Sequence, residues 1–445
     1  MIKVVRRPDG SIVMQASVEI VVPPGASMLE AEESLMRGLN KAGTDLTGGL
    51  LESMDADGGP IMRGGRKWTA KKEKEPRHVE TPWGCSIIWR FAYQSSSGGS
   101  CHYPLDHRAS LVGAATPKFA QMVSGKLVEL PASAVADDLR ANHDRRISAD
   151  FVQRMGELVS ELAGEIVPGA CVDELPPSHK VAIITVGVDS ATMLMGARRE
   201  GATARDGRKE RTREWRMATI GTITLYSSSG ARLGTIYAAT GPPEDKSEAK
   251  SAFWALMERE ITAVKDRYPR ARYVGLSDGA PDLLPWLRRH THVVILDFYH
   301  AAGYLNAAAG AFAPDGWAQD AAHRLRHEPG SAAELLTAME QRLSGGRRLR
   351  HADREALEKA VTYFRNNLDR MNYATAAAEG LPIGSGVTEA GCKLIVKKRF
   401  CGPGMTWSFR MAAHLLKLRT AALSAGDRWK ALWTNILSNV SGMLT

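Results

Sequence analysis

KVAIITVGVD (180–189) is the stretch on which the reading of this chain turns. It is an almost continuous apolar run, the pattern of a strand buried on both faces, and it stops at Asp189. Downstream, WRMATIGTITLYSS (215–228) and ARLGTIYAAT (231–240) flank the turn sequence SSSG, so they are expected to pair as an antiparallel hairpin. Ser247 to Tyr268 then reads as a helix with Phe253, Leu256, Met257 and Ile261 facing inward. RYVGLSD (272–278) is a strand ending at Asp278, APDLLPWLRRH (280–290) a helix, and THVVILD (291–297) a strand ending at Asp297. The order β-β-β-α-β-α-β predicts an α/β fold whose mixed sheet combines a three-strand meander with parallel strands joined by helices.

That order is the ribonuclease-H-like one. Residues 180–300 form the first part of this core, 301–384 read as an all-helical insertion, and 385–445 as the C-terminal catalytic helix and closing helices. In such a sheet the first and fourth strands lie side by side, which brings Asp189 and Asp278 to one edge. The block PIGSGVTEAGCKLIVKKRF (382–400) places Glu389 at the start of a basic helix that must pack across the same edge. Three carboxylates so arranged are what a pair of Mg2+ or Mn2+ ions needs for phosphoryl transfer, so Asp189, Asp278 and Glu389 are expected to be both catalytic residues and metal ligands. Gly384 and Gly386 are expected to let the chain approach closely. Asp282, one helical turn past Asp278, reads as a surface or capping residue. Asp297 and His300 read as accessory residues beside the metals or a phosphate. Lys393, Lys397, Lys398 and Arg399 follow Glu389, with Lys393 and Lys397 on its helical face, where DNA phosphates must pass. Trp407 either stacks on a base or packs in the core.

The N-terminal part is patterned less clearly. VEIVVPP (18–24) reads as a strand, and 28–55 as an amphipathic helix through Leu29, Met36, Leu39 and Leu46. Arg63 to Arg77 is dense in Arg and Lys, as a solvated linker or a DNA-backbone contact would be. Residues 1–78 therefore form a region of uncertain role ending in a basic linker. From 79 to 170 the pattern is a β-hairpin, TPWGCSIIWRFAYQ turning at SSSGGS, followed by three helices starting near Thr116-Pro117, at ASAVADDLRAN and at Ser148. Three short helices with a turn before the third fit a helix-turn-helix, as they also fit many small bundles. Its groove-facing candidates are Arg145, Arg146, Gln153 and Arg154.

The 445 residues are enough for two to four domains, and 44% hydrophobic content supports packed cores. A net charge of +9 suits a polyanionic partner. The start MIKVVRRPDG lacks the apolar stretch of a signal peptide, and no run approaches the roughly 18 apolar residues of a membrane span. Five scattered cysteines without a CxxC pair argue against zinc and disulfides, so a reduced, cytoplasmic protein is expected. There is no P-loop, no GxGxxG and no GxSxG.

With VGVD at Asp189, SDGA at Asp278, DFYH at Asp297 and His300, and LPIGSGVTEAGCKLIVKKRFCGPGMTW around Glu389, the chain resembles the DDE transposases of bacterial insertion sequences. It is most similar to the Kra group, in the branch related to the Mutator type. TPWG, the later PLD and the helix-turn-helix also match, so the resemblance spans about residues 79–425. It implies a catalytic triad of Asp189, Asp278 and Glu389, Mg2+ or Mn2+, an accessory DxxH pair, a helical insertion, and binding to terminal inverted repeats and target DNA. Holding two ends together implies a homodimer or higher oligomer on DNA. A structure-selective nuclease on the same fold and a domesticated DNA-binding regulator are the rival readings.

Overall fold

The computed structural model describes residues 2–165, 171, 174–203, 209–244, 251–312, 316–345 and 348–442. The chain forms two units: Met1–Ile166 with Lys417–Ala422 and Trp429–Thr445, and Val167–Leu416 with Leu423–Arg428.

The first unit opens with the hairpin β1 (Ile2–Arg6) and β2 (Ile12–Ala16). Helix α1 (Met28–Ser53) follows, in the place its periodicity predicts. A capping box starts it: Ser27 Oγ accepts from the Glu30 amide at 3.3 Å, and Glu30 Oε2 accepts from the Ser27 amide at 2.7 Å. The segment VEIVVPP before it is not a strand. Two prolines limit its ladder donors, and Ile20 instead packs on Gly38 of α1. The basic stretch 63–77 is no linker either. It builds β3 (Ile61–Arg63), β4 (Arg66–Ala70) and the start of β5 (Glu75–Glu80). Strand β6 (Cys85–Arg90) pairs antiparallel with β5, and β7 (Tyr93–Ser95) with β4. The expected hairpin around SSSGGS survives only as a bridge between Tyr93 and His102.

After α2 (Pro104–Arg108) come α3 (Pro117–Glu129), α4 (Ala132–His143) and α5 (Ala149–Leu162). Pro117 occupies the first turn of α3, and Ser148 caps α5 by accepting from the Phe151 amide at 3.1 Å. Asp144, in the left-handed region at φ 51°, ends α4 and turns the chain into α5. The end of the 79–170 segment, from residue 166, lies outside the described residues.

The second unit carries a five-stranded mixed sheet: β8 (Ile183–Thr203), β9 (Lys209–Tyr226), β10 (Arg232–Thr240), β11 (Arg272–Ser277) and β12 (Val293–Leu296), interleaved with α6 (Ser251–Arg267) and α7 (Leu284–His290). The lateral order is β10-β9-β8-β11-β12. β9 is antiparallel to β8 and β10, while β8, β11 and β12 are parallel. α6 is described from Ser251, so its predicted start at Ser247 lies outside the described residues. One face of the sheet buries Ile184, Val186, Ile223 and Leu225 against Phe253, Met257 and Ile261 of α6. β8 does not end at Asp189, as the apolar run predicts. It continues as a long ribbon with β9, because Ser190–Arg198 keep pairing with Arg211–Thr219 beyond the sheet.

Residues 301–384 are helical as expected: α8 (Phe298–Ala308), α9 (Trp317–His327), α10 (Ser331–Ser344), α11 (His351–Asn367) and α12 (Tyr373–Ala378). They share a core with β11 and β12 through Leu296, Leu305, Leu335, Leu357 and Phe364. α13 (Gly386–Gly391) bears Glu389 and runs into a π-helical segment, Cys392–Lys397, then α14 (Lys398–Phe400). α15 (Phe409–Leu423) and α16 (Arg428–Gly442) end the chain. No helix among the described residues is long and apolar enough to cross a membrane, and all five cysteines are free.

A buried ion pair ties Arg428 to α6. Its two terminal nitrogens meet the two Glu260 oxygens at 2.6 Å each, and the residues are 5% and 3% exposed. Removing one partner strands a buried charge. Glu260→Gln is therefore expected to lower stability by about 3–5 kcal/mol in urea unfolding, and Glu260→Leu with Arg428→Met to recover most of it. A loss within about 0.5 kcal/mol for the single variant would show that the pair is solvated.

Candidate active site

The register of the parallel strands positions the acids. Leu276 of β11 pairs with Gly187 of β8, and Ser277 pairs with Leu296 of β12. Continuing both registers past the last pairs puts Asp278 opposite Asp189 (276 − 187 = 278 − 189) and opposite Asp297 (296 − 277 = 297 − 278). By register, Asp189 within β8 is thus level with Asp278 and Asp297, which lie one residue past the ends of β11 and β12.

They differ in surroundings. Asp297 has no exposed surface. It caps α8 through the His300 amide at 2.7 Å, and its other oxygen accepts from the Ser385 amide. Burial pushes its pKa up, but the Ser385 and His300 hydrogen bonds outweigh this and hold it below the usual carboxylate range. The same junction is tied by the Phe298 amide donating to Ile383 at 2.9 Å. Asp278 is exposed and accepts at Oδ1 from the Ala280 amide at 3.1 Å, within its own turn. Gly279 follows at φ +108°, a conformation that favours glycine. Tyr363 of α11 donates its hydroxyl to the Asp278 carbonyl at 2.8 Å, so the helical insertion holds this turn. Asp189 is half-buried, with Oδ1 accepting from the Ser190 amide at 2.6 Å and Oδ2 from the Cys392 thiol at 3.5 Å. Burial first, and then the Asp189 carboxylate, push that thiol pKa far up, so Cys392 stays protonated as a donor.

Glu389 reaches the site because α13 lies directly on the sheet. A Cβ on Gly187 would come within 2.2 Å of Thr388 Oγ1, and Thr388 and Thr222 share a buried hydroxyl contact of 2.7 Å. Of the two glycines ahead of Glu389, Gly384 lies against the exposed Tyr299 ring, which a Cβ there would meet at 2.9 Å and have to displace. Gly386 faces open space. Glu389 is half-buried, 3.5 Å from the Ser385 hydroxyl. It lines a cavity of about 410 Å³ with Tyr299, His300 and Tyr304.

Among the described residues, the acids and histidine close enough to share one ion are Asp297, His300 and Glu389, whose ligand atoms lie within 4.8 Å of one another. Only Glu389 of the expected ligands belongs to this set. Asp278 is turned into its own loop, and Asp189 is turned toward Cys392. Asp297 and His300, expected as accessories, stand closest to Glu389. His300 Nδ1 is 3.2 Å from Asp297 Oδ1.

The expected DNA contacts divide. Arg146, Gln153 and Arg154 are exposed, Arg154 pairing with Asp150 at 2.6 Å. Arg145 is buried: it donates to the Thr81 carbonyl at 3.0 Å and pairs with Glu80, so it braces the fold and cannot face a groove. Lys393, Lys397 and Lys398 are exposed on the Glu389 element. The π-helical winding of 392–397 changes the i,i+4 register, so Lys393 and Lys397 do not simply continue Glu389's face. Arg399 is 2% exposed with its guanidinium 5.0 Å over the Trp407 ring. Trp407 donates Nε1–H to the Phe400 carbonyl at 2.9 Å and pairs its backbone with β8. Arg399 is a packing residue, and Trp407, half-buried, packs against it and Phe400. Asp282 is exposed.

Sequence reasoning gave no part to Cys392, Tyr363 or Thr388. Tyr363 and Thr388 carry no local signal, because their partners lie far away in sequence. The D-x-x-H spacing of Asp297 and His300 does hold one, since an aspartate three residues ahead of a helical amide is a capping pattern. The chain matches no protein-family model and no curated protein.

Asp297→Ala leaves the His300 and Ser385 amides without their acceptor. It is expected to destabilise the protein by about 2–4 kcal/mol at pH 7, since each orphaned buried donor costs about 1–3 kcal/mol. The folded pKa is depressed, so this stabilisation is complete above the unfolded value near 3.9 and is lost as pH falls through the folded one. Urea unfolding should therefore show the gap between wild type and variant narrowing below about pH 4. A gap that stays constant down to the lowest pH at which the protein folds would refute the role of the charge.

Proposed function

We propose that this chain is a DNA transposase with a ribonuclease-H-like core, acting in the cytoplasm on the terminal inverted repeats of an insertion sequence and on target DNA. The observation that carries the reading is the shared register of Asp189 in β8 with Asp278 and Asp297, one residue past the parallel strands β11 and β12, with Glu389 brought beside Asp297 by a helix after a helical insertion. The β10-β9-β8-β11-β12 order, with β9 alone reversed among its neighbours, also supports it. An aspartate row with a glutamate is a hard oxygen donor set suited to Mg2+ or Mn2+. Asp189, Asp278 and Glu389 would hold two such ions, with Asp297 and His300 beside Glu389, and bound there the ions supply Lewis-acid stabilisation of the attacking and leaving oxygens.

The rest follows from the chain's own groups. In the first step a water oxygen bonds to phosphorus at the element's end and the P–O3′ bond breaks. This leaves a 3′ hydroxyl on the element, a 5′ phosphate on the flank, and the water proton released. In the second, the 3′ oxygen bonds to a target phosphorus and a target 3′ oxygen leaves with a proton, so the number of phosphodiesters is conserved. Lys393, Lys397 and Lys398 place positive charge on the element that carries Glu389, where phosphates approach. Buried Asp297 fixes the Ser385 amide and thereby the start of α13. In the first unit, Arg146, Gln153 and Arg154 at the turn and on α5 are the residues available to read a groove. Joining two ends requires at least a homodimer on DNA.

Asp189→Asn, Asp278→Asn and Glu389→Gln are each expected to retain DNA binding and lose cleavage of an end-bearing oligonucleotide with Mg2+. Near-normal cleavage by one of them removes that residue from the triad. Gln153→Ala with Arg154→Ala is expected to erase the footprint on the terminal repeat while leaving salt-sensitive, sequence-independent binding. An unchanged footprint would place the reading surface elsewhere.

A further inference from the structure

β8 and β9 run on past the sheet as a two-stranded ribbon, with Ser190–Arg198 pairing to Arg211–Thr219. At about 3.4 Å per residue this paired stretch is roughly 27 Å long. Its two faces differ. On one, Ala191, Met193, Met195 and Ala218 are buried. Arg216, half-buried on that face, lies over the Phe409 ring at 5.9 Å, and Trp407 bridges β8 at Met195, so the base of the ribbon is fastened. On the other face Arg213, Trp215 and Met217 follow one another at alternate positions. All three are exposed, Trp215 by 62% and Met217 by 61%. Their cross-strand neighbours are Gly196, Leu194 and Thr192. Two large apolar side chains left open on a ribbon are a liability unless something docks on them.

The charge of the ribbon favours one class of partner. Residues 190–203 and 209–219 hold six arginines and lysines against three glutamates, which is a third of the chain's net charge of +9. Arg198 stands directly opposite Arg211 in the ladder. Like charges so placed weaken a strand pair, and an anionic partner relieves the repulsion. A second copy of the chain would bring this excess against itself, so charge opposes an apolar self-contact. A DNA duplex offers the opposite charge, and its major groove admits a two-stranded ribbon.

We propose that the β8–β9 ribbon is a DNA-docking arm, its open face seated on a duplex with Arg213 at a phosphate and Trp215 and Met217 against the groove. The choice of DNA among polyanions rests on the transposase reading, whereas the preference for a polyanion over a second copy rests on the ribbon's own charge. The placement supports the link. β8 is continuous through Asp189, so arm and acid belong to one strand. Thr192, opposite Met217, is three residues past Asp189, about 10 Å along the strand.

The test is binding of a labelled duplex oligonucleotide to the full chain across a salt series, with sedimentation of the same proteins without DNA. Arg213→Gln is expected to lower the slope of log affinity against log salt by about one. Trp215→Ala combined with Met217→Ser removes no charge. It should weaken binding roughly 5- to 50-fold and leave the slope unchanged. All three positions are exposed, so melting temperatures should stay within about 2 °C of wild type. The two variants read different contacts, so if one fails to fold the other still decides. No duplex binding by wild type, or wild-type affinity and slope in the variants, overturns the arm. Self-association of the wild type that the Trp215 and Met217 variant abolishes, with DNA affinity unchanged, assigns the face to a second copy and overturns it as well. Weakened duplex binding by the variants, beside a wild type that does not cleave end-bearing DNA, would keep the arm and sink the transposase reading, so the two fail separately.

Discussion

A carboxylate with no exposed surface, Asp297, fixes where the chain returns after more than eighty residues of helical insertion. One of its oxygens starts α8, which leaves the sheet, and the other accepts from Ser385, where the chain comes back to it. Burying a charge is tolerable only when hydrogen bonds replace the lost water. Here those bonds come from both ends of the excursion, so the insertion cannot shift without orphaning the charge. Everything that follows Ser385, including Glu389, takes its position from this junction. The residue that anchors the architecture also stands in the aspartate row and next to the glutamate.

The core of the fold was legible because it rests on patterns that physics writes locally. A strand buried on both faces must be apolar along nearly all its length, and 181–188 is. A hairpin needs turn residues between two alternating runs, and SSSG supplies them. Where the reading failed, distant partners decided. Nothing near Asp189 announces that β8 continues to Thr203, because the continuation is dictated by pairing with Arg211–Thr219. The basic stretch 63–77 carries linker-like composition, yet Trp68 and, just past its end, Val79 give strand faces that β7 and β6 complete.

The site was legible in its residue types and less so in its geometry. Three acids at the ends of apolar runs and at a helix start are visible one by one. Which of them converge depends on register, and register is a property of pairs of strands. The row containing Asp297 therefore emerges only when the pairing of β11 with β12 is known. Arg145 and Arg399 misled for a related reason: basic side chains are ambiguous between DNA and the core until burial is known. Long side chains of this kind bury their stems and pair their heads wherever the fold offers a carbonyl, a carboxylate or a ring.

Arg370 falls under the same rule. Most of the buried cations with a described partner answer to a fixed one: Arg428 to Glu260, Arg145 to Glu80, Arg399 to the Trp407 ring. Such residues are explained by the fold that contains them. Arg370 shares their burial and is held by its neighbours in the chain, Nη2 donating to Asn367 Oδ1 and Nε lying 3.7 Å from Asp369 Oδ1. It lies on the helical insertion, the same element whose Tyr363 holds the Asp278 carbonyl. The insertion thus does more than cover the sheet. It sets the turn of one acid, and through Asp297 the return of the chain to another.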